Sequence, residues 1–268
     1  MESIIHQVSG SFDTWYNFLP AGDYHVGAGG CDEGLIKRSL SQPGIDFFLD
    51  MGDDAECITP SDKRWDSKTI APWLWEQREN SGIVDLQVKR AASFWKPYAN
   101  KMLGVLESNH TKKISQGQVY DPTAALCDML HVRNLGHVAQ IHLSFTHGKK
   151  VRTFSILATH GRGGGAGKGN KLHKIHQWAS KFPGYDLYLV GHGHEQLVGG
   201  ITRLHPVPGS IVARNGLLVM TGTALKTYTP GSGGYGEQAG YEPVMLGFPL
   251  IRFHPDSLTI KVEISCNV

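Results

Sequence analysis

The sequence is short of several things, and each shortage removes a class of function. Only four cysteines occur in 268 residues, Cys31, Cys57, Cys127 and Cys266. They are scattered and form no C-x-x-C pair, so neither a disulfide scaffold nor a cysteine-built zinc module is expected. Apolar runs are short. The longest, such as P-V-M-L-G-F-P-L-I near residue 245, fall well below a membrane span. The N-terminus has no basic flank leading into an apolar core, so no signal peptide is expected and the protein is expected to be cytoplasmic. Charge bias is also missing: 26 Lys and Arg against 24 Asp and Glu leave a formal net charge of +2. That is too little to argue for nucleic acid or a membrane surface as partner.

What is present in quantity is glycine, 33 residues, and histidine, 14 residues. Much glycine suits tight turns and loops that bring backbone close to a ligand rather than a helix bundle. Apolar strand-like runs recur at 14–21, 45–51, 101–106, 137–145, 151–158 and 186–190. Helical spacing separates them at 31–41, 84–98, 122–130 and 168–181. From residue 201 the pattern turns mostly to strand, ending in runs at 250–253 and 258–264. Strands alternating with helices, then a strand-rich tail, predict an α/β fold: a layered β-sandwich flanked by helices. One domain over 1–268 is expected. The polar stretch 58–83, with Trp65, Trp73 and Trp75, reads either as a cap over a site or as a packed helical excursion or oligomer contact.

The chemistry-bearing residues collect where the strand-like runs end. Asp23 and His25 stand in G-D-Y-H, Asp53 in G-D-D-A-E, and Asn109 with His110 in E-S-N-H-T. His160 follows F-S-I-L-A-T, and His192 with His194 stand in G-H-G-H after D-L-Y-L-V. Residues at the carboxyl ends of strands converge on one rim in α/β folds. Any one cluster alone is common: a single Asp-x-His, a helix-capping Asn or a lone buried histidine. The five in this order are not. Carboxylate, imidazole and amide oxygen together suit Mn, Fe, Zn, Ni or Co better than Ca. Seven such groups exceed what one catalytic zinc needs and suit two ions sharing a carboxylate.

These clusters resemble the calcineurin-like metallophosphoesterase superfamily, whose pattern runs D-x-H, G-D-x-x-D, G-N-H-E/D, a solitary H, then G-H-x-H. The resemblance spans roughly residues 20–195 and implies the α/β/β/α layering of that fold. It implies two divalent ions, manganese favoured. One would be held by Asp23, His25, Asp53 and His194, the other by Asp53, Asn109, His160 and His192, with Asp53 between them. His110 would be the general acid or charge stabiliser, and Glu56, the last acid of the second motif, would orient it. The third motif departs from the pattern: Ser108 replaces glycine and Thr111 replaces the acid. The expected activity is hydrolysis of a small phosphoester, with a diester favoured over a monoester. A nuclease and a metal-binding scaffold of the same fold are the alternatives, and a homo-oligomer is allowed.

The glycine-rich stretch 160–170 fails as a nucleotide phosphate loop. Arg162 stands where glycine is needed and Gly169 where Ser or Thr is needed. It reads as a loop at the edge of the site, from which Arg162 or Lys168 would contact substrate phosphate. His173 and His176 read as surface residues. The segment 226–241 reads as a loop that borders the site or simply connects strands.

Overall fold

Runs rich in Ile, Val, Leu and Phe settle into two sheets in the computed structural model, which describes residues 1–62, 64–77, 82–111, 114, 120–162, 167–230, 235–238 and 240–265. Among these residues a six-stranded sheet runs in the order β1 (Glu2–Ser9), β5 (Val138–His147), β6 (Lys150–Thr159), β7 (Leu187–Val190), β9 (Ser210–Thr221), β8 (Gln196–Val207). A five-stranded sheet runs β11 (Thr259–Glu263), β10 (Leu250–His254), β2 (Tyr16–Ala21), β3 (Ile45–Asp50), β4 (Met102–Val105). Between them lies one apolar layer that includes Phe18, Phe47, Leu49, Ile141, Leu143 and Ile156. Ring contacts cross it, Phe154 to Phe253 at 5.0 Å and Phe47 to Phe145 at 6.4 Å between centroids.

Helices close both outer faces. Helices α1 (Glu33–Leu40), α3 (Ile83–Trp95) and α4 (Pro122–Leu130) cover the five-stranded sheet through Leu35, Ile36, Val88, Trp95 and Leu126. Helix α5 (Lys168–Lys181) covers the other sheet through Ile175 and Ala179 against Leu157, Tyr188 and Leu218. The layers are therefore helix, sheet, sheet, helix, the layered β-sandwich flanked by helices that the strand and helix pattern predicts. Strands β2, β3 and β4 run parallel and are buried on both faces, which is why the F-F-L at the centre of β3 is an unbroken apolar run rather than an alternation.

Several boundaries have visible physical causes. Asp121 caps α4, its Oδ1 accepting the N–H groups of Thr123 and Ala124, with Pro122 in the first turn where no N–H is needed. Helix α3 stops at Trp95, short of the expected 98, and a 3-10 turn carrying Pro97 follows. Strand β1 has no counterpart in the sequence reading. It pairs in parallel with β5 at the sheet edge, and only Ile4 of its eight residues is buried, so its alternation is too faint to read. In the 58–83 stretch the described part holds a short turn at Ser67–Thr69 and helix α2 (Pro72–Gln77). Leu74 is buried there, and the Arg90 guanidinium lies 4.5 Å from the Trp73 ring.

Candidate metal centre

The fold sends the ends of β2, β3, β4, β6 and β7 to one rim. Asp23 and His25 follow β2, Asp53 follows β3, Asn109 and His110 follow β4, His160 follows β6, and His192 and His194 follow β7. All but Asp23 line a single cleft of about 1250 Å³, and Asp23 is fully buried beside it. The seven candidate ligands and His110 are thus gathered in one place.

Two triads stand out within the cluster. In the first, His25 Nε2 lies 3.1 Å from His194 Nε2, and His194 Nε2 lies 3.3 Å from Asp23 Oδ1. In the second, His160 Nε2 lies 3.1 Å from Asp53 Oδ2 and its ring is 5.2 Å from that of His192. Each triad, Asp23–His25–His194 and Asp53–His160–His192, offers three ligand atoms within 4.8 Å of one another. Asp53 joins the two, because its Oδ2 is also 4.0 Å from His25 Nε2. Asn109 stands next to the second triad, its side-chain nitrogen 3.5 Å from His192 Nδ1.

These residues fit a cation on three counts. Two ligand atoms on one ion, each about 2.0–2.1 Å from it at tetrahedral or octahedral angles, lie about 2.9–3.4 Å apart, the spacing of the His25–His194, His194–Asp23 and His160–Asp53 pairs. Next, Asp53 Oδ1 is buried without a hydrogen-bond partner among the described residues, and the buried Asp23 Oδ1, Asp53 Oδ2 and His160 Nε2 face other members of the cluster. Buried polar atoms left without a partner are rare and call for a ligand. Finally, the far nitrogens are tied down. His25 Nδ1 donates to Glu56 Oε2 at 2.6 Å and His160 Nδ1 donates to the Met51 carbonyl at 2.8 Å. Both rings are thereby fixed with Nε2 facing the cluster, the orientation that metal-binding histidines have.

The field of the cluster shifts its protons. Burial alone would lower the pKa of His25 and His160, but Glu56 and Asp53 for the first, and Asp53 for the second, raise both to about 9. Burial, with His160 next to it, takes His192 down to about 4. For Asp53 burial works against ionisation, yet His160 and His110 hold its carboxyl well below the usual range.

The backbone is bent to present these groups. Asp23, His25, Asp53, His192 and His194 all have left-handed φ, between 50° and 62°. A non-glycine residue there carries about 1–2 kcal/mol of strain, and strain of this kind gathers where side-chain aim matters. Gly191 serves the same turn differently. A Cβ on it would come within 3.0 Å of Asp23 Oδ2, the oxygen that accepts the His192 N–H at 2.9 Å.

The altered third motif has its own local support. Ser108 Oγ and Thr111 Oγ1 lie 3.1 Å apart, and Thr123 Oγ1 donates to Thr111 Oγ1 at 3.0 Å, a buried hydroxyl chain beside Asn109 and His110. His110 is held by the Glu56 main chain, its Nδ1 donating to the Glu56 carbonyl at 2.7 Å. The Glu56 carboxylate itself goes to His25, so the expectation that this side chain orients His110 is corrected: it turns to the nearer imidazole.

Of the two loop cations, Arg162 lines the cleft, whereas Lys168 Nζ lies 3.7 Å from Glu195 Oε2 and its side chain does not line the cleft. Residues 163–166 of the glycine-rich stretch lie outside the described residues. His173 and His176 are exposed on α5. Described parts of 226–241 border the cleft through Lys226, Thr227, Thr229 and Tyr241. Sequence reasoning passed over Arg64, whose Nη1 lies 3.1 Å from His110 Nε2. Its stretch has no periodicity, and a single arginine there carries no signal.

No protein-family model matches this chain, and no curated protein matches it. Among solved structures, a conserved uncharacterized protein and predicted phosphoesterase from Streptococcus pneumoniae TIGR4 is similar over 90% of this chain and 84% of that chain, at 12% identity and a TM-score of 0.35. So slight a likeness carries no function across, and the chemistry rests on the side chains themselves.

Proposed function

We propose that this protein is a metal-dependent phosphoester hydrolase with a two-cation centre. The observation that carries the reading is the pair of triads linked by Asp53, which belongs to the second and lies 4.0 Å from His25 of the first, its buried Oδ1 without a hydrogen-bond partner among the described residues. Asp23, His25 and His194 would hold one cation; Asp53, Asn109, His160 and His192 would hold the other, with Asp53 shared. Manganese suits this mixture of imidazole, carboxylate and amide, as do iron, zinc, nickel and cobalt. A bound pair of divalent ions supplies Lewis acidity and a water acidified toward neutrality, the two requirements for in-line attack on phosphorus.

The chain's own residues do the rest. Glu56 and the Met51 carbonyl fix the Nδ1–H tautomers of His25 and His160 and so keep both Nε2 atoms available. The Glu56 carbonyl does the same for His110, whose Nε2 is turned into the cleft. His110 would protonate, or stabilise charge on, the departing alkoxide; general acid catalysis of this kind is worth about 10²–10⁴-fold. A cleft of about 1250 Å³ has room for substituents on both sides of a phosphoryl group, which favours a diester over a monoester.

The test is metal analysis together with turnover. Protein loaded with Mn²⁺ should carry two ions per chain and hydrolyse bis(p-nitrophenyl) phosphate faster than the monoester. Asp53→Asn should lose at least one ion and nearly all turnover. Wild-type metal content and rate in that variant would sink the proposal.

A further inference from the structure

Arg64 is fixed at both ends of its reach. Asp62 grips the guanidinium twice, accepting from Nε at 3.0 Å and from Nη2 at 2.7 Å, and its Oδ1 also accepts the Arg64 backbone N–H at 2.9 Å. The far nitrogen, Nη1, lies 3.1 Å from His110 Nε2, and the side chain is only 17% exposed. A side chain clamped in this way has given up its rotamer freedom before a ligand arrives, so little ordering is left to oppose binding.

The partner at Nη1 is a weak one. His110 donates from Nδ1 to the Glu56 carbonyl, so what faces Nη1 is a ring nitrogen and not an anionic oxygen. An anionic phosphoryl oxygen accepts from a guanidinium more strongly than a neutral ring nitrogen does. Among the described residues, Asp62 and His110 engage three of the five guanidinium N–H groups, which leaves one on each terminal nitrogen. Arg64 also lines the same cleft as Asp53, Asn109 and His192.

We infer that Arg64 is a substrate-binding residue of this site, delivered by the segment that follows residue 58 and donating to a non-bridging oxygen of a phosphate ester. The inference rests on the phosphoester hydrolase reading and gives it a fourth kind of group beside carboxylate, imidazole and amide. When substrate enters, Nη1 exchanges His110 for the phosphoryl oxygen. That exchange leaves His110 Nε2 free of the guanidinium, so one movement both binds the anion and uncovers the ring. A tether that merely pins the segment to the rim is the competing explanation, and it makes no call on phosphate.

Arg64→Met, which keeps the aliphatic stem, and Arg64→Ala are compared with wild type after loading with Mn²⁺. Metal content, melting temperature, the Kd of inorganic phosphate by calorimetry, and KM and kcat for bis(p-nitrophenyl) phosphate are measured on each. Metal content and melting temperature should hold, while the phosphate Kd and the substrate KM rise together by about 10- to 100-fold, the worth of one charge-assisted hydrogen bond. Wild-type phosphate affinity in either variant overturns the inference and leaves the hydrolase reading intact. So does loss of metal or early melting in both variants, the mark of a tether. If wild type turns over no phosphoester at all, the hydrolase reading falls, and the phosphate Kd alone decides the role of Arg64.

Discussion

Glu56 Oε2 lies 2.6 Å from His25 Nδ1, and this one bond decides which nitrogen of His25 faces the cluster. Glu56→Gln keeps the size of the side chain but removes the charge that holds the ring. Mn²⁺ affinity should fall by about 10- to 100-fold, measured by titration against a competing chelator. Unchanged affinity would mean that the carboxylate only fills space.

The shifted histidines give the metal-free protein a characteristic pH response. His25 and His160 rise from 6.5 to about 9 in the folded chain, so their stabilising contribution is complete below pH 6.5 and is lost as pH climbs through 9. His192 drops to about 4, so its contribution is present above pH 6.5 and is lost as pH falls through 4. Urea denaturation after chelation should therefore show stability declining between pH 6.5 and 9. Saturating Mn²⁺, which binds the neutral rings, should remove that decline. A metal-free profile flat across this range would contradict the charge arrangement described above.

The left-handed turn at His192, φ 62°, separates the side chain's role from the backbone's. Both His192→Ala and His192→Gly remove the imidazole, but only glycine relaxes the strain. The glycine variant should be the more stable of the two by about 1 kcal/mol in metal-free protein, with metal binding weakened equally in both. Thermal melts read the first effect and metal titration the second.

Behind the centre, Trp95 Nε1 donates to Asp54 Oδ1 at 2.8 Å, both groups fully or nearly fully buried. Trp95→Phe keeps most of the apolar contact and removes the indole donor from the buried Asp54 carboxyl, leaving it, among the described residues, only its Asp50 neighbour. Denaturation should show a loss of about 1–3 kcal/mol. Metal stoichiometry should stay at the wild-type value, since Asp54 is not in either triad.

How much of this could be read from the chain depended on how local the cause was. Helix α4 was legible to the residue because its cap, first-turn proline and apolar spacing are contiguous, 121–130. The five clusters were legible because each sits directly after a strand-forming run, so their convergence follows from topology alone. Strand β1 was not, since its partner β5 lies more than 130 residues away and only Ile4 is buried. The destination of the Glu56 carboxylate was equally hidden: two imidazoles, 31 and 54 residues away, compete for it, and turn geometry decides in favour of the nearer in sequence. Arg64 was invisible for a related reason, because its aim is set by Asp62 two residues earlier and by a loop with no repeating pattern.

The loops that carry Asp23 and Asp53 leave the five-stranded sheet, and those that carry His160, His192 and His194 leave the six-stranded one. A cation seated between them would rivet the two leaves along this seam. Chelation should therefore unzip the sandwich from this edge inward, with amide exchange quickening first around Gly52 and Gly191 while Phe18 and Phe154 at the centre stay protected.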